Sequence, residues 1–150
     1  MPADLLRGVK TILVIDWPSR DVPESLARAG FQVVVKGGPK PEDHFPWEMK
    51  DGEIASRRTG HAPEQADLVY GYRPLPELPQ IISLAKQLQA RIIWTQSGLV
   101  APGFKNLKGC WVPDEELRSA RALVEGVGLR YVTQPYIGDA ALEAVIANSL

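Results

Sequence analysis

The first of four polar segments able to bind a phosphorylated ligand follows the first apolar run of the chain. Pro18, Ser19 and Arg20 stand there, directly before a predicted helix. The free N–H groups and the dipole at a helix N-terminus favour an anion, so a phosphate beside Arg20 fits this position. A solvated arginine next to Asp21 is the alternative interpretation. The turn contains no glycine and G-x-G-x-x-G is absent, which argues against an NAD site here.

The second and third segments follow the next two apolar runs. Lys36 and Gly37 leave the second run, where a glycine allows a ligand to approach the backbone closely. Tyr72 and Arg73 leave the third run and offer a ring for stacking and a guanidinium for a phosphate. Ordinary surface turns are the alternative for both segments. Because parallel strands end at the same edge of a sheet, we expect all these residues to border one crevice.

The fourth segment, Gln96-Ser97-Gly98, ends the fourth apolar run and does not form the G-x-S-x-G turn of serine hydrolases. His44 and His61 are the only histidines, and both fall in an irregular stretch without metal-ligand spacing. Cys110 has no histidine near it in the sequence and is expected to be a small packed residue. The sequence therefore predicts neither a catalytic nor a metal-binding residue.

Composition excludes several other classes of protein. The 150 residues, 45% hydrophobic and 23% charged, are typical of one globular domain. A net charge of −1 argues against a nucleic-acid binder. The single cysteine excludes an internal disulfide and a multi-thiolate zinc site. No apolar run reaches the roughly 18 residues of a membrane span and no signal peptide is evident, so we expect a cytoplasmic protein without membrane contacts.

Five apolar runs rich in branched residues alternate with helical patterns. The first run, over 11–15, is continuous rather than alternating, which indicates a parallel strand buried on both faces. The spacing of apolar residues predicts helices over about 22–29 and 78–88, from 113 to a stop at Gly126, and over about 139–147. The whole pattern predicts a doubly wound, Rossmann-like α/β fold with three layers and a parallel five-stranded sheet. The five predicted strands cover 11–15, 31–35, 67–70, 91–95 and 129–133.

Between Lys36 and Ala66 the chain is interrupted by glycines and prolines. We expect a long irregular excursion over the carboxyl-end face of the sheet, not an independent domain, with a helical turn near 45–49 and an extended piece around Ile54. Of the four tryptophans, Trp94 is expected in the core. The other three are expected in loops, where they can line a pocket or an interface: Trp17, Trp47 and Trp111.

These segments resemble, in order and spacing, the small stand-alone CoA-binding domain proteins. The pieces that carry the resemblance are Pro18-Ser19-Arg20, the Asp-Leu-Val strand followed by Tyr72-Arg73, and the W-x-Q-x-G strand end over 94–98. That family has a Rossmann-like single domain related to the CoA-binding domain of succinyl-CoA synthetase. The resemblance covers most of the chain, from the first strand to the fifth.

The resemblance implies that coenzyme A or an acyl-CoA is the ligand. Arg20 would meet a phosphate, Lys36 and its glycines the adenosine end, Tyr72-Arg73 the wall of the crevice, and 96–98 its floor. The chain departs from the family at Asp16-Trp17, which replaces a glycine turn, and at 134–136, which replaces an Asp-Arg-Cys sequence. Since an ionised Asp16 repels phosphate, we expect weak CoA binding that Asp16→Gly strengthens and Arg20→Ala weakens.

The sequence therefore predicts a CoA-binding or nucleotide-binding protein without evident catalysis. The alternative is a protein-interaction module on a Rossmann-like scaffold whose cofactor site has decayed, with the tryptophan-bearing loop as its contact surface. A small enzyme acting on an acyl-CoA or a nucleotide is the third hypothesis. We also expect a homodimer, formed through apolar surface that the five-stranded sheet leaves uncovered together with the Ala- and Leu-rich terminal helix over 140–147. Packing of this helix on the sheet is the alternative.

Overall fold

A central set of five parallel strands organises the computed structural model, which describes residues 2–15, 20–38, 40, 43–56, 62–73 and 75–149. The branched residues of the apolar runs form these strands, and most of their side chains are buried. The strands are β1 (Thr11–Ile15), β2 (Gln32–Lys36), β5 (Leu68–Gly71), β6 (Ile92–Thr95) and β9 (Arg130–Val132).

A hairpin of two antiparallel strands, β3 (His44–Lys50) and β4 (Glu53–Ser56), extends this sheet beside β2. The seven strands lie in the order β4-β3-β2-β1-β5-β6-β9. Counted along the chain, the five parallel strands have the order 2-1-3-4-5 of flavodoxin-like sheets. The parallel five-stranded sheet is confirmed, and the hairpin makes it wider than the sequence predicted.

Within the described residues, four α-helices cover the two faces of the sheet. Alternate residues of β1 face opposite sides, so Ile12 and Val14 belong to one core and Leu13 and Ile15 to the other. The first core includes residues of α1 (Asp21–Arg28) and α4 (Ile137–Ser149), and the second includes residues of α2 (Leu78–Gln87) and α3 (Asp114–Glu125). The fold is therefore a Rossmann-like α/β structure with three layers. Trp94, with no exposed surface, lies in the first core as predicted.

The 36–66 segment differs from its prediction. The helical turn expected near 45–49 is wrong, because these residues belong to β3, where Phe45 pairs with Val35. The extended piece around Ile54 is confirmed as β4. Asp51 and Gly52 connect the two strands and both have positive φ, at 52° and 81°. The hairpin lies at the edge of the sheet, so the expected path over the carboxyl-end face is wrong for this part of the segment.

A second hairpin, not expected from the sequence, follows β6. It pairs β7 (Leu99–Ala101) with β8 (Phe104–Lys105) in a separate two-stranded sheet. Pro102 and Gly103 form its turn, with Gly103 at a φ of 78°. Among the described residues, no helix has both the length and the apolar character needed to cross a membrane.

Candidate ligand-binding site

The carboxyl ends of β5 and β6 open into a cavity of about 1000 Å³. Its walls come from the start of α2, from the chain between 95 and 113, and from one side of α3. Most of the wall is apolar, and two acidic residues of α3, Glu115 and Glu116, also line it. The large apolar side chains in the wall are Leu75, Leu78, Leu99, Trp111, Val112 and Leu123.

A smaller hollow of about 320 Å³ adjoins the cavity on the side of β2. Lys36, Gly38 and Arg73 line it, and Arg73 lines the large cavity as well. The Arg73 guanidinium forms an ion pair with the Glu77 carboxylate, with an N···O distance of 2.6 Å. Glu77 and apolar side chains such as Ile81 and Leu84 line the smaller hollow too. What distinguishes the smaller hollow is the Lys36 ammonium at its border, whereas the large cavity has Glu115 and Glu116, and Arg73 lines both.

The structure brings together about half of the residues that the sequence singled out. Tyr72, Arg73, Gln96 and Ser97 line the large cavity, and Lys36 lines the smaller one. Gly37 instead turns toward the first hairpin: its N–H donates to the Asp43 carbonyl at 2.9 Å, and a Cβ there would lie 3.3 Å from the Phe45 ring. Pro18 and Ser19 lie outside the described residues, as do Asp16 and Trp17.

Arg20 also lies away from both cavities. Its guanidinium is 5.0 Å from the centre of the Trp47 ring, a cation–π contact, and 3.6 Å from a carboxylate oxygen of Glu24. The contact with Trp47 joins the start of α1 to the first hairpin, whereas the contact with Glu24 stays within the helix. The role of Arg20 at a phosphate stays a prediction. Trp47 belongs to β3 rather than to a loop.

Gln96 is the most constrained polar side chain of the cavity. Its Oε1 accepts hydrogen bonds from the Tyr70 hydroxyl at 2.9 Å and from the Ile137 N–H at 3.0 Å. Two donors on one oxygen fix the orientation of the amide. Its Nε2 is buried and has no hydrogen-bond partner within the described part of the chain. An unsatisfied buried donor costs about 1–3 kcal/mol, which a stabilising contact elsewhere has to offset.

Burial raises the pKa of Tyr70, and negative charge on Tyr136, Tyr72 or Cys110 would raise it further. The Tyr70 hydroxyl therefore keeps its proton at neutral pH, so that it acts as a donor to Gln96 rather than as a base. Its contribution in this structure is to hold the Gln96 amide in place.

Ser97 and Gly98 hold the loop that follows β6. The Ser97 hydroxyl donates to the Trp111 carbonyl and accepts from the Leu99 N–H at 3.2 Å. Gly98 has a φ of 72°, and a Cβ there would overlap the Tyr72 hydroxyl. The serine therefore shapes the loop, and the glycine is required because the tyrosine lies directly against it.

Cys110 and His44 are the other candidates for chemistry that fall within the described residues. Cys110 is half-buried, and burial raises the pKa of its thiol. His44 is buried in β3, and His61 lies outside the described residues. Across the ranges that the structure describes, no group of three or more His, Cys, Asp or Glu side chains has the geometry to hold a metal ion.

Sequence reasoning missed the apolar wall of the cavity. Leu78 and Leu123 fall within two of the predicted helices, and Leu78 is buried. Leu123 is 52% exposed because it lines the open cavity instead of packing on the sheet. The available signal was Trp111, a large ring in a loop, which was expected to line a pocket and does so.

The chain is similar in fold to a solved bacterial structure. No family model matches the chain, and no curated protein matches it. The solved structure is that of cell-free ID.343 from Thermus thermophilus, and it superposes with a TM-score of 0.54 at 22% sequence identity. The match covers 96% of this chain and 99% of that chain. At this identity the comparison establishes a shared fold over nearly the whole length of both chains.

Proposed function

We propose that this chain binds coenzyme A or an acyl-CoA at the carboxyl ends of β5 and β6, without catalysing a reaction itself. The observation that carries the proposal is the pair of adjoining cavities that share Arg73, one apolar and one bordered by Lys36. A ligand with an apolar end and an anionic end matches such a pair. Doubly wound sheets commonly bind ligands at this edge.

The apolar end of the ligand would occupy the large cavity. Its volume of about 1000 Å³ is at the upper end of the range of small-molecule sites. Leu75, Leu99 and Trp111 offer apolar surface without a charged group. Each methylene that leaves water for such a surface stabilises a complex by about 0.8 kcal/mol. An acyl chain or the pantetheine arm therefore fits this space better than a phosphate does.

The charges around the cavities favour one orientation of the ligand. Glu115 and Glu116 line the large cavity and would repel phosphates there. Lys36 and Arg73 would attract them on the opposite side, although Glu77 already neutralises part of the Arg73 charge. We therefore orient the phosphates toward β2 and the acyl group toward α3.

A binding role agrees with the state of the two candidate nucleophiles. The Ser97 hydroxyl donates to the Trp111 carbonyl and has no base as its hydrogen-bond partner among the described residues. Burial holds the Cys110 thiol in its protonated form by raising its pKa. Neither group is activated in the way that covalent catalysis requires.

A chain-length series tests the proposal. Isothermal titration with CoA, acetyl-CoA, butyryl-CoA and octanoyl-CoA should give affinities that rise by about fourfold for each buried methylene. The rise should stop when the cavity is filled. Equal affinity for all members would place the acyl group outside the cavity, and no heat with any member would contradict the proposal.

A pair of variants locates the acyl group. Leu123→Arg puts a charge into the wall of the cavity, and Leu142→Arg puts the same charge on an equally apolar and exposed site of α4. We expect the first variant to lose the dependence on chain length and the second to keep it. An identical loss in both variants would show a general effect of the added charge.

A second pair locates the phosphates. Arg73 and Arg28 each form an ion pair with a glutamate four residues away. Arg28 lies in the last turn of α1 and lines neither cavity. Arg73→Gln should weaken CoA binding by about tenfold, the effect of losing about 1.4 kcal/mol, whereas Arg28→Gln should not change it. Equal affinities in both variants would exclude Arg73 as a phosphate ligand.

A protein-interaction module is the second candidate function. One observation favours it: the second hairpin exposes Val100 and Phe104, and the turn that follows it exposes Leu107. If the titrations with CoA and its thioesters give no binding, this exposed surface becomes the main functional feature of the chain.

A further inference from the structure

The second hairpin presents apolar side chains on an ordered support. Phe104 is 67% exposed, the largest exposed fraction among the apolar residues named for this surface, and Val100 and Leu107 accompany it. Ser97 and Gly98 both donate backbone hydrogen bonds to the Gly109 carbonyl, and the Trp111 N–H donates to Leu99. Since these bonds fix the base of the hairpin, little conformational entropy remains to be lost when its tip meets a partner.

An apolar acceptor lies beside this hairpin on the same chain. Leu99, a residue of the hairpin, lines the large cavity, and Leu123 exposes an apolar edge there. The tip and the cavity therefore belong to one continuous region of the surface. A region that contains both a projecting ring and an open apolar cavity can complement a second copy of itself.

The charges of the two parts are opposite. The segment 97–113 carries two lysines and no acidic residue, whereas the first turn of α3 carries Asp114, Glu115 and Glu116. Lys105 is exposed beside Phe104, and both Glu115 and Glu116 line the cavity. Within the described ranges, no ion pair involves Lys105, Glu115 or Glu116.

We propose that two copies of this chain associate about a two-fold axis, with Phe104 of each protomer entering the mouth of the large cavity of its partner. Lys105 then faces Glu115 and Glu116 across the contact. Because each protomer supplies both the ring and the cavity, the contact occurs twice and the assembly closes as a dimer. In this dimer the partner's Phe104 completes the wall of the large cavity. The inference goes beyond CoA binding and does not rest on it.

The terminal helix is a weaker choice for this contact. Ala140 and Ala141 of α4 are buried in the first core, so the part of the helix expected to dimerise already packs on the sheet. Leu142 and Ile146 remain exposed on its outer side. Asp139 and Glu143 are the only charged residues of α4, so a two-fold contact between two such helices would bring like charges together.

Sedimentation equilibrium of the unmodified chain and two variants tests the proposal. The unmodified chain should sediment at twice 16.5 kDa at micromolar concentration. Phe104→Asp should sediment at 16.5 kDa, whereas Leu142→Asp, an equally exposed site on α4, should remain dimeric. A monomeric unmodified chain would overturn the proposal, as would a dimer that survives Phe104→Asp or dissociates in Leu142→Asp alone. Circular dichroism confirms that each variant is folded.

Charge reversal gives an independent check. Lys105→Glu alone and Glu115→Lys with Glu116→Lys each place like charges across both contacts, so each variant should dimerise at least about tenfold more weakly. Mixing the two variants restores opposite charges at both contacts and should restore the mass of a dimer. Dimers that persist in both separate variants, or a mixture of folded variants that stays monomeric, would contradict the proposed pairing.

Discussion

The two ends of the parallel sheet differ in how completely their polar groups are hydrogen-bonded. At the amino end, the Asp67 carboxylate accepts hydrogen bonds from the backbone N–H groups of Lys10 and Thr11 at 2.8 and 3.0 Å. Arg91 donates to the Gly8 carbonyl there at 3.2 Å. At the carboxyl end, Gln96 keeps a buried donor without a partner in the described part of the chain, beside a cavity with mostly apolar walls.

The difference is also visible in the two hollows at these ends. The amino end also has a hollow, of about 480 Å³, but four of the side chains that line it form hydrogen bonds to the neighbouring backbone or to one another: Thr11, Gln32, Asp67 and Arg91. At the carboxyl end, apolar side chains in the cavity wall, such as Leu123, remain open to solvent. Uncovered apolar surface of this kind is typical of ligand-binding pockets.

Two glycines with similar backbone conformations should give the largest contrast between the two ends. Gly98 at the carboxyl end has a φ of 72° and lies against Tyr72, whereas Gly30 at the amino end has a φ of 97° and open space around it. Gly98→Ala should lower the free energy of unfolding by about 3 kcal/mol through strain and overlap, and Gly30→Ala by about 1 kcal/mol through strain alone. Urea unfolding measures both values.

Tyr72→Phe provides the control for this pair. Removal of the hydroxyl that a Cβ at position 98 would meet should recover part of the loss in the double variant, and it should leave Gly30→Ala unchanged. Equal costs for the two glycine substitutions would show that backbone strain alone matters.

Asp67→Ala, at the amino end, should lower the free energy of unfolding by about 2 kcal/mol at pH 7, because two backbone N–H groups lose a charged acceptor. Burial raises the pKa of Asp67, but hydrogen bonds from Thr11 and Lys10 and the charges of Arg91 and Lys10 hold it below its ordinary value of 3.8. The carboxylate therefore contributes fully above pH 3.8, and its contribution is lost as the pH falls through the lower folded value.

Urea unfolding of both chains at pH 7 and at pH 3 checks this prediction. The stability difference between Asp67→Ala and the unmodified chain should shrink at the lower pH. Glu64→Ala, which alters an exposed acidic residue, should show no such change. A difference that is the same at both pH values would attribute the effect of Asp67 to packing.

Tyr70→Phe should have a smaller effect, of about 1 kcal/mol, because Gln96 Oε1 keeps the Ile137 N–H as its other donor. The side-chain amide signals of Gln96 in a ¹⁵N spectrum should broaden or shift, while those of the exposed Gln89 should not. An unchanged Gln96 signal in a folded variant would show that Tyr70 does not fix the amide.

The smallest effect is expected at Cys110, whose thiol should be alkylated slowly in the folded chain. Because burial raises the pKa of its thiol above the ordinary value of 9.0, less thiolate is present at pH 8 than in a free thiol. Iodoacetamide should therefore react more slowly with the folded chain than with the chain in urea. Equal rates would mean that the thiol is fully accessible in the folded state.

The sequence predicted the parallel sheet because continuous apolar runs and helical stripes recur along the chain. It did not predict the first hairpin, although Asp51-Gly52 is a typical two-residue hairpin turn. The glycines and prolines around 37–63 were interpreted as loop signals, and the pairing of β3 with β2 outweighed them. Local propensity is a weak guide where a neighbouring strand offers unpaired backbone groups.

The sequence predicted only the part of the candidate site that follows from the fold class. Tyr72, Arg73 and Gln96 follow strands, so the fold class alone brings them to one edge. The buried amide of Gln96 could not be predicted, since its orientation depends on Ile137, 41 residues further along the chain. The apolar wall likewise combines residues from α2, α3 and the second hairpin, whose relative positions no sequence pattern specifies.

The first hairpin covers the open edge of β2, which would otherwise be available for pairing with another chain. Without β3 and β4, the sheet would end at β2, whose centre is the consecutive run Val33, Val34 and Val35. An uncovered strand of branched apolar residues is a template for edge-to-edge pairing and fibril growth. The hairpin replaces it at the margin with β4, a strand of only four residues that begins with the exposed Glu53. Deletion of 43–56 should therefore yield insoluble chains even where the five parallel strands still form.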